Sequence, residues 1–94
     1  MKATLLYRNK RRLDSGAIVE EVVWKLPQSD SERPHGYKYR LAYIGKGRRL
    51  VGYDNERGKG DHRHYGDHEE PYSFTTVAQV LADFRADVKK AEER

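Results

Sequence analysis

Apolar side chains recur at every second position through the first half of the chain, and this period limits the fold more than any other feature. A period of two is typical of strands with one buried face, whereas helices repeat every three to four residues. Strands are predicted at 2–8, 17–26, 37–44 and 48–54. The segment Gly45-Lys46-Gly47 between the last two is typical of a β-hairpin. Strands joined this closely are expected to pair antiparallel.

A helical period is found only near the C-terminus. Thr76 and Gln79 form a capping box, which predicts that a helix begins there. One stripe at helical spacing follows, formed by Val77, Val80, Leu81, Phe84, Val88 and Ala91. The sequence therefore predicts one α+β domain over residues 1–94, an antiparallel four-stranded meander with one C-terminal helix packed on one face.

Three segments between these elements are predicted to be loops. Asn9–Arg12 is basic, 28–36 is polar and contains Pro and Gly, and 55–71 has no periodicity. A loop as long as the last one inside a small domain is usually functional or disordered. The sequence therefore directs attention to 55–71.

Composition narrows the class of protein. The chain has no cysteine, which excludes disulfides, thiol nucleophiles and thiolate zinc sites. No apolar run is long enough for a signal peptide or a membrane span, so a cytoplasmic location without a membrane partner is expected. Residues 35–66 contain eight Lys and Arg against three Asp and Glu, whereas residues 67–94 contain four against seven. A basic middle beside an acidic end is typical of a protein that meets a polyanion with one face.

Imidazoles, carboxylates and cations are concentrated in residues 53–64. If this stretch is extended near its end, His62 and His64 point to the same side about 6.6 Å apart, a separation that fits one phosphate group. In metal-free RNA cleavage, one imidazole would take the proton from a 2′-hydroxyl and the other would give one to the leaving oxygen. The predicted catalytic residues are His62, His64, Asp61 and Lys59.

Other residues of the same segment are predicted to hold the substrate. Arginine binds phosphate through its bidentate fork, and the glycines at 58 and 60 would let backbone N–H groups approach it. The predicted substrate-binding residues are Arg57, Arg63, Asp54, Asn55 and Tyr53. No cofactor and no metal ion is expected.

Other interpretations of these residues stay open. A divalent ion that activates water could be held instead by Asp54, Asp61, His62 and His64. The segment could also be an ordinary solvated loop with surface histidines. Elsewhere, Tyr37, Tyr39 and Tyr43 share a strand face, where such side chains either stack nucleic-acid bases or, more commonly, belong to the core.

Several stretches of the chain resemble the TumE family. They are the N-terminal part from Lys2 to Trp24, His35 to Leu41, Val51 to Asn55, and Gly58-Lys59-Gly60-Asp61-His62-Arg63-His64. The last two stretches are the most specific part of the resemblance. It implies a functional site at the positions that match the motif, namely Asp54, Asn55, Lys59, Asp61, His62 and His64.

The resemblance implies the toxin component of a prokaryotic type II toxin–antitoxin module. The partner would be a small antitoxin that is encoded alongside and blocks the toxin. In the predicted fold, the antitoxin could bind at the unpaired edge of strand one or four. It could instead bind at the outer helix face with Asp83, Asp87 and Lys90. With the basic middle and the His-rich motif, the leading hypothesis is a toxin that cleaves RNA as a small endoribonuclease. The alternatives are a non-catalytic nucleic-acid-binding module and a toxin that acts by nucleotide transfer.

Overall fold

The computed structural model describes residues 2–56 and 58–93, which form one antiparallel sheet and one helix. The elements are β1 (Thr4–Arg12), β2 (Ile18–Lys25), β3 (Tyr37–Gly45), β4 (Arg48–Asp54), β5 (His62–Tyr65), β6 (His68–Pro71) and α1 (Val77–Glu92). Each strand pairs with its neighbour in sequence, so the order across the sheet is β1 to β6. The predicted α+β class, antiparallel sheet and C-terminal helix are confirmed. The prediction of four strands is wrong, because the described residues form six.

The two additional strands, β5 and β6, lie in the segment that the sequence predicts as a loop. His62 pairs with Asp54 of β4, and His64 pairs with Glu69 of β6. A two-residue turn follows Tyr65, and Gly66 there takes a positive φ of 60°, which glycine adopts readily. The prediction fails because a strand period is read from apolar residues, whereas the buried positions of β5 hold imidazoles.

Strand β1 is longer than predicted and includes Asn9–Arg12, so the predicted basic loop is wrong. Lys10 lies opposite Glu20, and Asn9 lies opposite Glu21. Opposite charges across a strand pair stabilise it, and edge strands commonly carry charged side chains. The chain therefore stays extended where its composition suggests a loop.

Helix α1 packs its predicted stripe against one face of the sheet, the helix face. Val80, Phe84 and Val88 are buried there, and the backbone N–H of Gln79 donates to Thr76 Oγ1 at 3.0 Å, as the capping box predicts. The buried core is formed by Ala17, Val19, Val23, Tyr39, Leu41, Tyr43, Val51, Tyr53, Val80, Phe84 and Val88. Tyr39 and Tyr43 therefore belong to the core and not to a base-stacking surface.

Tyrosine hydroxyls of the sheet and of the segment after β6 donate hydrogen bonds to carboxylates of the helix. Tyr53 and Tyr65 both donate to Asp87, and Tyr72 donates to Asp83 at 2.5 Å. Hydrogen bonds to a carboxylate are stronger than bonds between neutral groups. Asp83 and Asp87 thus face the sheet and not the outer helix surface that the sequence offers to the antitoxin. Strand β4 is internal as well, so the edges of the sheet are β1 and β6.

The opposite face of the sheet, the open face, carries no helix in the described part of the chain. Strand register places on it the charged and aromatic side chains of Arg8, Lys10, Arg12, Glu20, Trp24, Lys38, Arg40, Arg49, Asp54, His62, His64 and Glu69. Six of these side chains are Lys or Arg and three are carboxylates. The open face therefore combines a basic surface with both histidines of the H-x-H motif.

Candidate functional site

Four side chains converge on the open face where β4, β5 and β6 lie side by side. They are Asp54, His62, His64 and Glu69, and together they are called the cluster. Nε2 of His62 lies 2.6 Å from Oδ1 of Asp54 and 3.5 Å from Oε2 of Glu69. Nε2 of His64 lies 3.2 Å from the same glutamate oxygen. Strand register brings the four together, because Asp54 is opposite His62 and Glu69 is opposite His64.

The two imidazoles form the floor of the cluster. The side chains of His62 and His64 are 7% and 11% exposed, whereas that of Glu69 is 45% exposed. The rings meet edge to face with their centroids 4.8 Å apart. The prediction that the two histidines point to the same side is therefore confirmed, and Glu69 stands at the solvent-exposed rim.

The orientation of the His62 ring is fixed by the turn before β5. Its Nδ1 lies 2.9 Å from the carbonyl oxygen of Gly60. A carbonyl can only accept, so the proton is on Nδ1 and Nε2 is the atom turned toward the carboxylates. Gly60 itself has a positive φ of 71°, which favours glycine at this position. The Gly-Lys-Gly part of the motif thus has a local role in aiming an imidazole.

Burial lowers the pKa of the His64 imidazole, and the nearby side chains of Arg49 and His62 lower it further. The carboxylates of the cluster act in the opposite direction without compensating. His64 is therefore mainly neutral at pH 7, with a lone pair on one ring nitrogen. The Arg49 side chain can pass over Gly52, which pairs with His64, because glycine has no side chain. A Cβ at that position would lie 2.7 Å from Cδ of Arg49.

One oxygen of Asp54 has an unusual environment. Oδ1 is buried and accepts no well-directed hydrogen bond from the described residues, although Nε2 of His62 is 2.6 Å away. The other oxygen, Oδ2, lies 3.7 Å from Nη1 of Arg49. Buried polar atoms are nearly always hydrogen-bonded, and the exceptions are typical of strained, reactive or ion-binding sites.

The carboxylate of Asp61, a predicted catalytic residue, is engaged by residues outside the cluster, although Asp61 lines one small pocket with His62 and Glu69. Tyr39 donates a hydrogen bond to it at 2.6 Å, and Nε2 of His35 is 3.1 Å away. Nδ1 of His35 accepts from the backbone N–H of Tyr37, so its Nε2 carries the proton and donates to Asp61. Burial, with the hydrogen bond and charge of Asp61, raises the pKa of Tyr39. Asp61 thus connects the turn before β5 to β3 and to the segment before β3. Phe74 stacks on the His35 ring at 3.8 Å between centroids.

Three of the predicted substrate-binding residues make their contacts away from the open face. Asn55 is fully buried, and its side chain accepts from the backbone N–H of Tyr39 and donates to the carbonyl of Tyr37 at 3.0 and 2.8 Å. Tyr53 is fully buried in the core. Arg63 donates to Glu70 at 2.9 and 3.1 Å on the helix face. The structure therefore places these side chains away from the open face.

The remaining predicted residues differ in position. Nζ of Lys59 lies 3.9 Å from Glu69, with its side chain 57% exposed, so it stands at the rim of the cluster. Asp54 belongs to the cluster itself. Arg57 lies outside the described residues. The predicted residues that come together are thus His62, His64, Asp54 and Lys59.

Sequence reasoning did not find Glu69 and Arg49. Glu69 belongs to β6, which the sequence predicts as part of a loop, and Arg49 is one of many cations in the basic middle. A signal for Glu69 does exist. The Gly66-Asp67 pair is a turn signal, and a hairpin centred on it places Glu69 opposite His64. No comparable signal singles out Arg49.

The class of protein follows from comparison with known families. A family model described as toxin TumE matches residues 2–92, nearly the whole chain. The chain therefore belongs to the TumE toxin family, and as such it is a toxin of a toxin–antitoxin system with a cognate antitoxin as its partner. No curated protein and no solved structure matches the chain. Among the described residues, no helix is long and apolar enough to span a membrane.

Proposed function

We propose that this toxin acts on RNA and cleaves it as an endoribonuclease at the cluster. The observation that carries the proposal is the position of the cluster at one end of a basic open face. A polyanion held by the cations of that face would pass over the imidazoles. The proposal thus joins a binding surface to a set of groups able to move protons.

The basic side chains lie in cross-strand rows that lead to the cluster. Arg8, Arg40, Asp54 and His62 occupy one such row on β1, β3, β4 and β5. Four strand spacings separate β1 from β5, or about 19 Å, which is long enough for several phosphates of a single strand. Flat sheet surfaces with exposed cations and aromatic rings are a common way to bind single-stranded RNA.

An aromatic ring is available on the same face. Trp24 of β2 is partly exposed, and Nζ of Lys38 lies 5.2 Å from its ring centre. A base can stack on such a ring while the neighbouring ammonium group meets a phosphate. Trp24 therefore takes the base-stacking role that the sequence offers to the buried tyrosines.

The cluster has the groups that RNA cleavage needs. The 2′-oxygen attacks phosphorus and the bond to the 5′-oxygen breaks, which leaves a 2′,3′-cyclic phosphate and a 5′-hydroxyl. The 2′-hydroxyl gives its proton to the cluster, and the 5′-oxygen receives one from it. Lys59 at the rim is positioned to meet the charge that grows on the phosphate group.

The test is incubation of the full chain with end-labelled single-stranded RNA and with its 2′-deoxy counterpart. Wild-type protein and the His68→Ala variant should cleave the RNA, whereas the double variant His62→Ala/His64→Ala should not. His68 is a matched control, because its exposed side chain contacts Glu70 and lies outside the cluster. The deoxy strand should stay intact. Undiminished cleavage by the double variant would contradict the site.

Two other outcomes would replace the proposal. RNA that is bound in a salt-dependent manner but stays intact would indicate a non-catalytic nucleic-acid-binding module. Transfer of label from a nucleotide to RNA or protein would indicate a nucleotidyl-transferring toxin. Each outcome is read in the same reaction series, with labelled nucleotide as an additional arm.

A further inference from the structure

We propose that Asp54, His62, His64 and Glu69 bind one divalent transition-metal ion on the open face. The inference deepens the proposed function: with Nε2 of both imidazoles coordinated, water on the bound ion would transfer the protons in place of the imidazoles. Only the role of the ion in catalysis rests on the proposed function. Binding of the ion itself requires no RNA and can be tested without it.

The donor atoms are close enough together to bind one metal ion. One ligand atom from each of Asp54, His62 and His64 lies within 4.8 Å of the other two, and Oε2 of Glu69 is 3.2 and 3.5 Å from the two histidine nitrogens. Around a tetrahedral ion with bonds of about 2.1 Å, neighbouring donors are about 3.4 Å apart. The spacing of the glutamate and histidine atoms is close to that value, whereas Nε2 of His62 and Oδ1 of Asp54, 2.6 Å apart, would have to separate when the ion binds.

The directions of the contacts also favour an ion. Nε2 of His62 and Oδ1 of Asp54 are close without being aligned as a hydrogen bond, and that oxygen is buried without another partner among the described residues. An ion between them would satisfy both atoms. Nε2 of His64 and Oε2 of Glu69 are likewise only 3.2 Å apart. One donor atom from each of the four side chains therefore lies in one small volume.

A backbone carbonyl accepts a hydrogen bond from the ring nitrogen of His62 that faces away from the proposed ion. Metal-binding histidines usually donate their other ring N–H to a carbonyl or a carboxylate, which fixes the tautomer and the ring. His62 has this contact, from Nδ1 to the Gly60 oxygen at 2.9 Å. The positive φ of Gly60 sets the direction of that carbonyl. The motif glycine thus has a role in the site that does not depend on phosphate binding.

Charge and donor type indicate which ion fits. Two carboxylates balance the charge of a divalent cation, while Arg49 and Lys59, each within 4 Å of one carboxylate, oppose its binding. Arg49 is nearest to Oδ2 of Asp54, which leaves Oδ1 free for the ion. Two imidazoles with two carboxylates suit Zn²⁺ and Mn²⁺, whereas Mg²⁺ and Ca²⁺ prefer oxygen donors alone. A bound ion of this kind could serve as a Lewis acid on the phosphate group.

The test is calorimetric titration of the EDTA-dialysed full chain with Zn²⁺, Mn²⁺ and Mg²⁺ in the absence of RNA. One Zn²⁺ per chain should bind, and Mg²⁺ at the same concentration should not. Glu69→Gln should weaken Zn²⁺ binding about tenfold or more, and Asp54→Asn about a hundredfold or more. Glu69 is half exposed, so its replacement keeps the fold, which circular dichroism checks. His68→Ala should bind as the wild type does.

Imidazole ¹⁵N spectra give an independent readout. Addition of Zn²⁺ should shift Nε2 of His62 and His64 and leave His35 and His68 unchanged. Absence of Zn²⁺ and Mn²⁺ binding, or binding that Asp54→Asn and Glu69→Gln both leave unchanged, would overturn the inference. RNA cleavage that survives EDTA, together with no Zn²⁺ binding, would overturn the metal site and leave the proposed ribonuclease standing. Zn²⁺ binding without RNA cleavage would support the metal site and overturn the proposed ribonuclease.

Discussion

At the scale of single residues, the described part of the chain buries one carboxylate with its own set of partners far from the cluster. Glu21 is fully buried on β2 and accepts from both Nε and Nη2 of Arg85 at 3.0 Å and from Tyr7 at 3.1 Å. Burial alone would raise the pKa of Glu21, but the hydrogen bonds and charge of Arg85 and Tyr7 hold it below its usual value. The contacts of Arg85 and Tyr7 with Glu21 link helix α1 to strands β1 and β2.

We expect Arg85→Ala to lower the free energy of unfolding at pH 7 by about 1–3 kcal/mol, because it removes the main partner of a buried carboxylate. Since the folded pKa of Glu21 is lowered, its contribution to stability is present above its usual pKa of 4.5 and is lost as the pH falls through the lowered value. The difference between wild type and variant should therefore shrink as the pH falls below 4.5 and through the lowered pKa of Glu21, because the carboxylate then becomes protonated in both. Urea unfolding at several pH values measures it. Lys89→Ala, on an exposed position of the same helix, should show no such dependence, and an Arg85 effect that is constant with pH would contradict the account.

At the scale of elements, the turn before β5 is held in place by contacts of Asp61 and of His62, the first residue of β5. Tyr39 and His35 bind the Asp61 carboxylate, while the Gly60 carbonyl binds His62. The turn therefore connects the sheet core, the segment before β3 and the cluster.

We expect Asp61→Asn and Tyr39→Phe each to lower the free energy of unfolding by about 1–3 kcal/mol, because each leaves a buried polar group with a poorer partner. The two losses should not add, since both remove one hydrogen bond, and the coupling should be about 0.5–3 kcal/mol. A double-mutant cycle followed by chemical unfolding measures this coupling. If Asp61→Asn abolished RNA cleavage while the protein stayed fully folded, Asp61 would instead be part of the reaction.

The sequence predicts some elements of this chain well and others poorly, for a physical reason. Strands with aliphatic alternation and the helix with its Thr76–Gln79 cap are recognisable because burial and capping leave a local pattern. β5 is not, because His62 and His64 are buried by their neighbours and by their partners in the cluster, which no local pattern shows. The same limit explains the site: His62 and His64 are evident from spacing, while Glu69 depends on the register of β6.

At the scale of the whole molecule, the two faces of the sheet have different roles. The helix face holds the core and the tyrosine contacts to the helix, whereas the open face holds the cations, Trp24 and the cluster. Exposed charged pairs on such a face contribute only modestly to stability. Their position is better explained by binding of a polyanion.

We expect single-stranded RNA to quench the fluorescence of Trp24, which is the single tryptophan of the chain. Measured in the His62→Ala/His64→Ala background, so that RNA stays intact, Trp24→Leu should weaken binding by about 1–3 kcal/mol and Trp24→Phe by less, because phenylalanine still stacks. An emission spectrum that saturating RNA leaves unchanged would contradict a role of the open face.

We expect Arg40→Ala and Arg8→Ala each to weaken RNA binding and to reduce the slope of log affinity against log salt by about 0.7 when one phosphate contact is lost. Arg40 is well exposed, with its side chain 59% accessible. Arg11→Ala is the matched control, because Arg11 lies on β1 but faces Glu21 on the helix side. Equal loss of affinity in all three variants would indicate general electrostatics and not a defined face.

The claim that ties these scales together is that the toxin acts through the cluster, and growth inhibition tests it most directly. The wild type, His68→Ala, Asp54→Asn and His62→Ala/His64→Ala are each expressed from an inducible promoter in a bacterial host that lacks the antitoxin, with protein amounts matched by immunoblot. We expect the first two to arrest growth and the two cluster variants to permit it. Arrest by the cluster variants at equal protein amounts would contradict the account.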